Sequence, residues 1–154
     1  MSRLAPLAFA IVLAGCAGKD PAAAAKKQAV DSLQVEARLQ RYAFLTMRMD
    51  HAGIASLFAP DGRLLRPGQP DLVGPDSIRT FLSSFLGYHV LEEHIAAETT
   101  TVRADSAHQA GTWRQRVQLP DGKVVEVHGR FHTHWMRDNS DEWMIKSMGT
   151  TSEP

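Results

Sequence analysis

The stretch from Gly111 to Trp135 constrains this chain more than any other. It reads as two strands joined by a tight Pro120-Asp121-Gly122 turn. If Leu119 pairs with Lys123, side-chain alternation sets every later pair. Val117 then faces Val125, Gln115 faces Val127, Trp113 faces Gly129 and Gly111 faces Phe131, with Thr133 and Trp135 continuing the same face. The opposite face sets Arg116 against Glu126, Arg114 against His128, Thr112 against Arg130, Ala110 against His132 and His108 against His134. One face is apolar and aromatic; the other is charged and rich in histidine. A slip of one residue would exchange the faces, so the split itself supports the register. The apolar face needs a cover. A large Trp113 ring over Gly129, which has no side chain, suits a bent sheet with a hollow beneath that cover.

The cover lies upstream. Val35, Leu39, Tyr42, Leu45 and Met49 recur at steps of three and four, which predicts an amphipathic helix. Asp50 is placed to cap a short second helix over residues 52–58, and Pro60-Asp61-Gly62 then turns the chain. Residues 63–66 and 71–73 read as short extended pieces around Pro67-Gly68. Gly74-Pro75-Asp76 opens a third helix. Its stripe of Ile78, Phe81, Leu82, Phe85 and Leu86 ends at the stop signal Gly87. From Tyr88 the period changes to two, and residues 88–103, 107–119, 123–137 and 142–150 predict four strands. Helices followed by an antiparallel meander give an α+β domain over residues 31–151, with the helices on one side of the sheet.

Seventeen Lys and Arg balance seventeen Asp and Glu. That neutrality gives no electrostatic reason to expect nucleic acid or an anionic membrane surface as a partner. The one cysteine, Cys16, excludes an intramolecular disulfide. Arg3 and the apolar run Leu4 to Leu13 fit a secretory signal, and the run is too short to span a bilayer as a helix. Leu13-Ala14-Gly15-Cys16 resembles the bacterial lipobox. The resemblance implies that residues 1–15 are a lipoprotein signal peptide and that Cys16 becomes the acylated N-terminus. Contact with the membrane would then run through that lipid only. Ala17 follows the cysteine, not the Asp that marks inner-membrane retention in many bacteria, which favours the periplasmic side of the outer membrane. Residues 16–30 are small and charged with no apolar face, and read as a flexible tether.

The run LQRYAFLTMRMDHAGIASLFAPDGRLLRPG, then GPDSIRTFL, then GTW with PDGKVVEVHGRFHTHWMRDNSDEWMIKS resembles the nuclear transport factor 2-like superfamily. Within it the sequence is most similar to SnoaL-like and ketosteroid-isomerase-like bacterial domains, over residues 33–150. The resemblance implies a cone-shaped fold: one long and two shorter helices in the concavity of a curved, mostly antiparallel sheet. It also implies a homodimer through the outer sheet face. Such domains include isomerases, epoxide hydrolases, dehydratases and cyclases beside non-catalytic binding and assembly modules, so fold does not settle function. Carried over by position, Tyr42 falls where ketosteroid isomerases place their oxyanion-stabilising tyrosine. Their general-base aspartate would fall near Arg66, and their second oxyanion donor at Thr133. Proton abstraction needs a base within reach of the substrate, and this pattern lacks it.

The resulting expectation is a lipid-anchored envelope domain that binds a small, mostly apolar molecule in the cone, without catalysis and without a cofactor. Tyr42, Trp113, Gln115, Phe131, Thr133 and Trp135 are the expected lining, with Tyr42, Gln115 and Thr133 giving orienting hydrogen bonds. Two alternatives stay open. One is an isomerase, cyclase or dehydratase using Tyr42, with Asp50 or Arg66 assisting at the mouth. The other is a dimeric interaction scaffold. His128, His132 and His134 share one side of a strand, an arrangement that can suit a metal. Arg130 between them would repel a cation, so no metal is expected and this face reads as solvent or subunit contact.

Overall fold

A computed structural model describes residues 20–153. The signal peptide assigned to residues 1–15 and the lipidation site Cys16 lie outside the described residues. Three helices, α1 (Pro21–Met47), α2 (His51–Ser56) and α3 (Pro75–Leu82), accompany six strands. The strands are β1 (Phe58–Leu65), β2 (Leu72–Val73), β3 (His89–Arg103), β4 (Ser106–Gln118), β5 (Val124–Arg137) and β6 (Trp143–Ser152). They form one sheet in the order β2-β1-β6-β5-β4-β3. Among the described strands, only the β1–β6 pair is parallel. The α+β architecture, with helices on one side of a mostly antiparallel sheet, is the expected one.

The β4–β5 hairpin has the register derived from alternation at every pair, from His108 opposite His134 to Val117 opposite Val125. Its turn closes with the Leu119 N–H donating to the Lys123 carbonyl at 2.8 Å. Two glycines let neighbouring strands close in around it. A Cβ on Gly129 would stand 1.7 Å from the Thr151 carbonyl oxygen, and one on Gly111 would stand 2.0 Å from that of Ala96. Bulges interrupt β3 between Val90 and Glu92 and between Ala97 and Thr99. Bulges increase local twist and bend the strand that carries them. The sheet thus curls, and α1 lies in the curl against β3 and β6.

The core forms where α1 meets the closed end of the curl. Val35 and Leu39 of α1 pack with Phe131, Trp135, Ile145 and Met148 of the sheet, all 2% exposed or less. One polar hub is buried there. The Trp135 indole N–H donates to Gln109 Oε1 at 3.0 Å, and Gln109 Nε2 donates to Glu36 at 3.1 Å and Thr100 at 3.2 Å. A second polar tie joins α1 to β5: Arg137 pairs with buried Asp31 and lies over the Trp143 ring at 4.4 Å.

Four local expectations need correction. Helix α1 begins at Pro21, inside the stretch read as a tether. Asp20 caps it by accepting from the Ala22 N–H at 2.9 Å, Pro21 takes the first helical position, and the alanine run has high helix propensity. Residues 21–30 are exposed, and burial starts at Asp31. Helix α2 ends at Ser56, and β1 then runs straight through Pro60-Asp61-Gly62 as a bulge against β6 instead of turning. Helix α3 stops at Leu82, short of Phe85 and Leu86. The Ser83-Ser84 pair ends it: Ser84 Oγ donates to the Phe81 carbonyl at 2.7 Å, and its backbone N–H bonds only three residues back.

Candidate ligand-binding site

The open end of the curl holds a cavity of about 330 Å³. Its walls are apolar: Ile54 from α2, Leu82 and Phe85 from α3 and the segment after it, and Val117, Val125 and Val127 from the hairpin. Polar groups enter at few points. Tyr42 and Thr46 come from α1, His51 opens α2, Gln115 stands on β4 and Tyr88 lies just before β3. An apolar chamber with a few convergent polar groups is the usual form of a small-molecule site.

The chain places each polar group by a local device. Tyr42 is on the α1 stripe that turns inward, and it packs against the core cluster. Burial raises its phenol to about 12, the charge of Glu93 adds to the rise, and the Thr46 hydroxyl opposes it. Tyr42 is therefore a neutral hydrogen-bond donor throughout the physiological range. His51 follows Asp50, whose carboxylate accepts from the Gly53 N–H at 2.8 Å and so caps α2. That cap aims the imidazole inward, where His51 Nε2 is buried with no protein partner. Gln115 faces Val127 on one side and Glu93 on the other.

Glu93 borders a second hollow, of about 270 Å³, that shares Gln115 with the main cavity. Its Oε2 is buried and unpartnered. Burial raises the carboxyl from its ordinary 4.5 to about 7, with Gln115 beside it pulling the other way. The apolar chamber thus holds an unpartnered imidazole and a phenol, and a half-neutral carboxyl lies in the adjoining hollow across Gln115. Such a set can bind a carbonyl or hydroxyl group, and it can also transfer protons.

The six residues expected to line the pocket divide. Tyr42 and Gln115 line it. Phe131, Thr133 and Trp135 do not: each is 2% exposed or less in the core, because α1 fills that end of the concavity. Trp113 is half-buried and spans Gly129, with its indole N–H near the Arg130 and Thr151 carbonyls at 3.2 and 3.3 Å. Asp50 is occupied as a cap. Arg66 bonds the Pro70 carbonyl and Gln69 and lies over the Phe81 ring at 5.1 Å, outside the cavity lining. His51 and Glu93 were missed. For Glu93 a signal existed, since counting back by twos from Ala97 and Ile95 puts it on the inner face. For His51 there was none, because nothing in sequence tells which way the first residue of a short helix points.

On the outer face the His108 and His134 rings stack at 4.3 Å between centroids and 6° between planes. Burial, then His108 and Lys146, hold His134 below its ordinary value. Among the described residues, no three His, Cys, Asp or Glu side chains group as metal ligands. His128 sits opposite Arg114, and His132 covers Gly149.

A sequence model of the SnoaL-like domain matches residues 27–149. No curated protein matches the sequence. Among solved structures, a ketosteroid isomerase-like protein from Erwinia carotovora atroseptica is 19% identical, over 80% of this chain and 98% of that one, with a TM-score of 0.73. A candidate scytalone dehydratase from Novosphingobium aromaticivorans is 12% identical, over 84% and 89%, with a TM-score of 0.74. An NTF2-like protein with a cystatin-like fold, also from Novosphingobium aromaticivorans, is 17% identical, over 85% and 88%, with a TM-score of 0.66. At these identities the structural likeness bears on fold alone.

Proposed function

The chain belongs to the SnoaL-like domain family, and from that premise we propose that it binds a small, mostly apolar molecule carrying a carbonyl or hydroxyl group. The observation that supports this reading is the cavity of about 330 Å³, walled by aliphatic and aromatic side chains and entered by Tyr42, His51 and Gln115. The Tyr42 phenol and the Gln115 amide donate to the ligand's oxygen. The unpartnered His51 imidazole gains a bond only when the site is filled. In this proposal Cys16 carries lipid, and the domain works at the periplasmic side of the outer membrane. Mass spectrometry of the membrane fraction tests that part: an acylated N-terminal peptide supports it, and an unmodified Cys16 thiol overturns it.

Thermal unfolding in the presence of cyclic ketones, phenols and terpenoid alcohols tests the binding. Ligand at one hundred times Kd stabilises by ~2.7 kcal/mol. A rise in Tm of several degrees that Tyr42→Phe and Gln115→Leu diminish supports the reading. No rise with any compound in a broad panel contradicts it.

A second reading, proton-transfer catalysis, is favoured by Glu93. A carboxyl raised to about 7 in the hollow adjoining the apolar chamber has the acidity a general acid or base needs at neutral pH. A bound compound that is isomerised or dehydrated by the wild type and not by Glu93→Gln supports catalysis. Ligands recovered unchanged after prolonged incubation return the site to binding alone.

A further inference from the structure

The chain's neutrality conceals a segregation along α1. Val30, Leu33, Ala37, Phe44 and Met47 follow one another at steps of three, four, seven and three, so they form one stripe. That stripe is not the buried one. Leu33 is 72% exposed, Val30 46%, Phe44 44% and Met47 41%, and Ala37 is exposed with them. Helix α1 therefore carries apolar residues on both faces, and the outer set spans about 25 Å of helix.

Cations share this outer face. Lys26, Arg41 and Arg48 each lie four residues from a member of the stripe. The Arg41 and Arg48 guanidinium groups sit 5.4 and 5.6 Å from the centre of the Phe44 ring. None of these three cations is ion-paired among the described residues. The acidic residues of α1 are engaged elsewhere: Asp31 is buried against Lys27 and Arg137, and Glu36 accepts from Gln40 and Gln109. Of the carboxylates flanking α1, Glu142 and Asp141 are paired with Arg38 and Arg137, and in the hollow beside Met47 Glu92 is paired with Arg116 while Glu93 and Glu126 share that hollow. Unpaired cations beside an apolar stripe match the headgroup boundary of an anionic bilayer.

We propose that the outer face of α1 docks on an anionic phospholipid surface, with Val30, Leu33, Phe44 and Met47 entering the headgroup boundary and Lys26, Arg41 and Arg48 meeting phosphates. The position of Cys16 fits this occupant. Only three residues separate it from the Asp20 cap, so a lipid there would lie within about 15 Å of the helix start. No described helix is long and apolar enough to cross a membrane, and a surface contact does not require one. The docked face is turned away from the sheet, so the outer sheet surface stays open to solvent.

The placement rests in part on the lipid-anchor reading of Cys16, so the test removes that lipid. The full chain carrying Cys16→Ser and Ala37→Cys has one thiol, labelled with an environment-sensitive fluorophore. It is mixed with phosphatidylglycerol–phosphatidylethanolamine vesicles, or with phosphatidylcholine vesicles as a neutral control. A matched chain carries the label through Lys123→Cys on the hairpin turn. The expected result is a blue shift at position 37 with anionic vesicles only, quenched by nitroxides on the lipid tails and absent at position 123. Arg41→Glu with Arg48→Glu should weaken this binding at least tenfold. Vesicle binding that leaves position 37 in water, as insertion through residues 4–13 alone would give, overturns the proposal. So does a blue shift that needs no vesicles and grows with protein concentration, because the occupant is then a second copy of the chain.

Discussion

Replacing Glu93 by Gln keeps the shape of the side chain and removes its titration. In the folded chain this carboxyl is raised from 4.5 to about 7 because burial disfavours its charge. Between these values the folded state holds a proton that the unfolded state has released. Stability must therefore fall as pH rises from about 4.5 to about 7, and stay flat beyond. At ~1.4 kcal/mol per tenfold change in acidity, the interval sets an upper bound of ~3.4 kcal/mol. Water reaches part of the side chain, so about 2 kcal/mol is the expected effect. Glu93→Gln and wild type should have equal stability near pH 4.5. At pH 8.5 the variant should be more stable by about 2 kcal/mol, or by several degrees in Tm. Urea unfolding of both proteins across this range measures the difference. A difference that does not change with pH, or one that opens below pH 4, refutes the reasoning, because burial of the carboxyl would then not govern its acidity.

The remaining expectations concern the frame and the pocket. Gly129→Ala should cost about 3 kcal/mol or prevent folding, because the new Cβ meets the Thr151 carbonyl at 1.7 Å; denaturant unfolding with a loss under ~1 kcal/mol would contradict this. Asp31→Ala should cost about 2–3 kcal/mol in the same assay, since it removes the buried carboxylate that pairs with Arg137 and leaves that charge with exposed Asp141 and the Gln34 amide. Trp113→Ala should leave ligand affinity within about twofold, whereas Gln115→Leu should weaken it about tenfold by removing one hydrogen bond; titration calorimetry on any ligand found separates the two. A homodimer through the outer sheet face, if it forms, should be broken by Ala110→Arg between the stacked histidines and Thr112, as sedimentation would reveal.

The sequence carried the hairpin in full because its two faces differ so sharply that only one register buries Phe131 and Trp135. It carried less of the cavity. Alternation tells which face a residue is on, but not how far along the strand the covering helix reaches. Thr133 and Gln115 share a face, yet α1 seals Thr133 into the core and leaves Gln115 open. Glu93 is on the inner face by the same alternation that places Ile95 and Ala97, but a charged residue on a covered face is not what a hydrophobic pattern picks out. The exposed stripe of α1 was hidden for another reason. Leu33 and Phe44 are ordinary apolar residues until the opposite face is known to be the buried one.

The central claim is that the chamber between Tyr42, Ile54 and the hairpin receives a ligand. Val127→Trp tests it most directly, because Val127 lines the cavity as the cross-strand neighbour of Gln115 and the larger ring would obstruct the space a ligand needs. Calorimetric titration of wild type and Val127→Trp with the same apolar ketone or alcohol is the measurement. Saturable binding to the wild type and none to a folded Val127→Trp protein is expected. Equal binding to both would place the ligand elsewhere and contradict the claim.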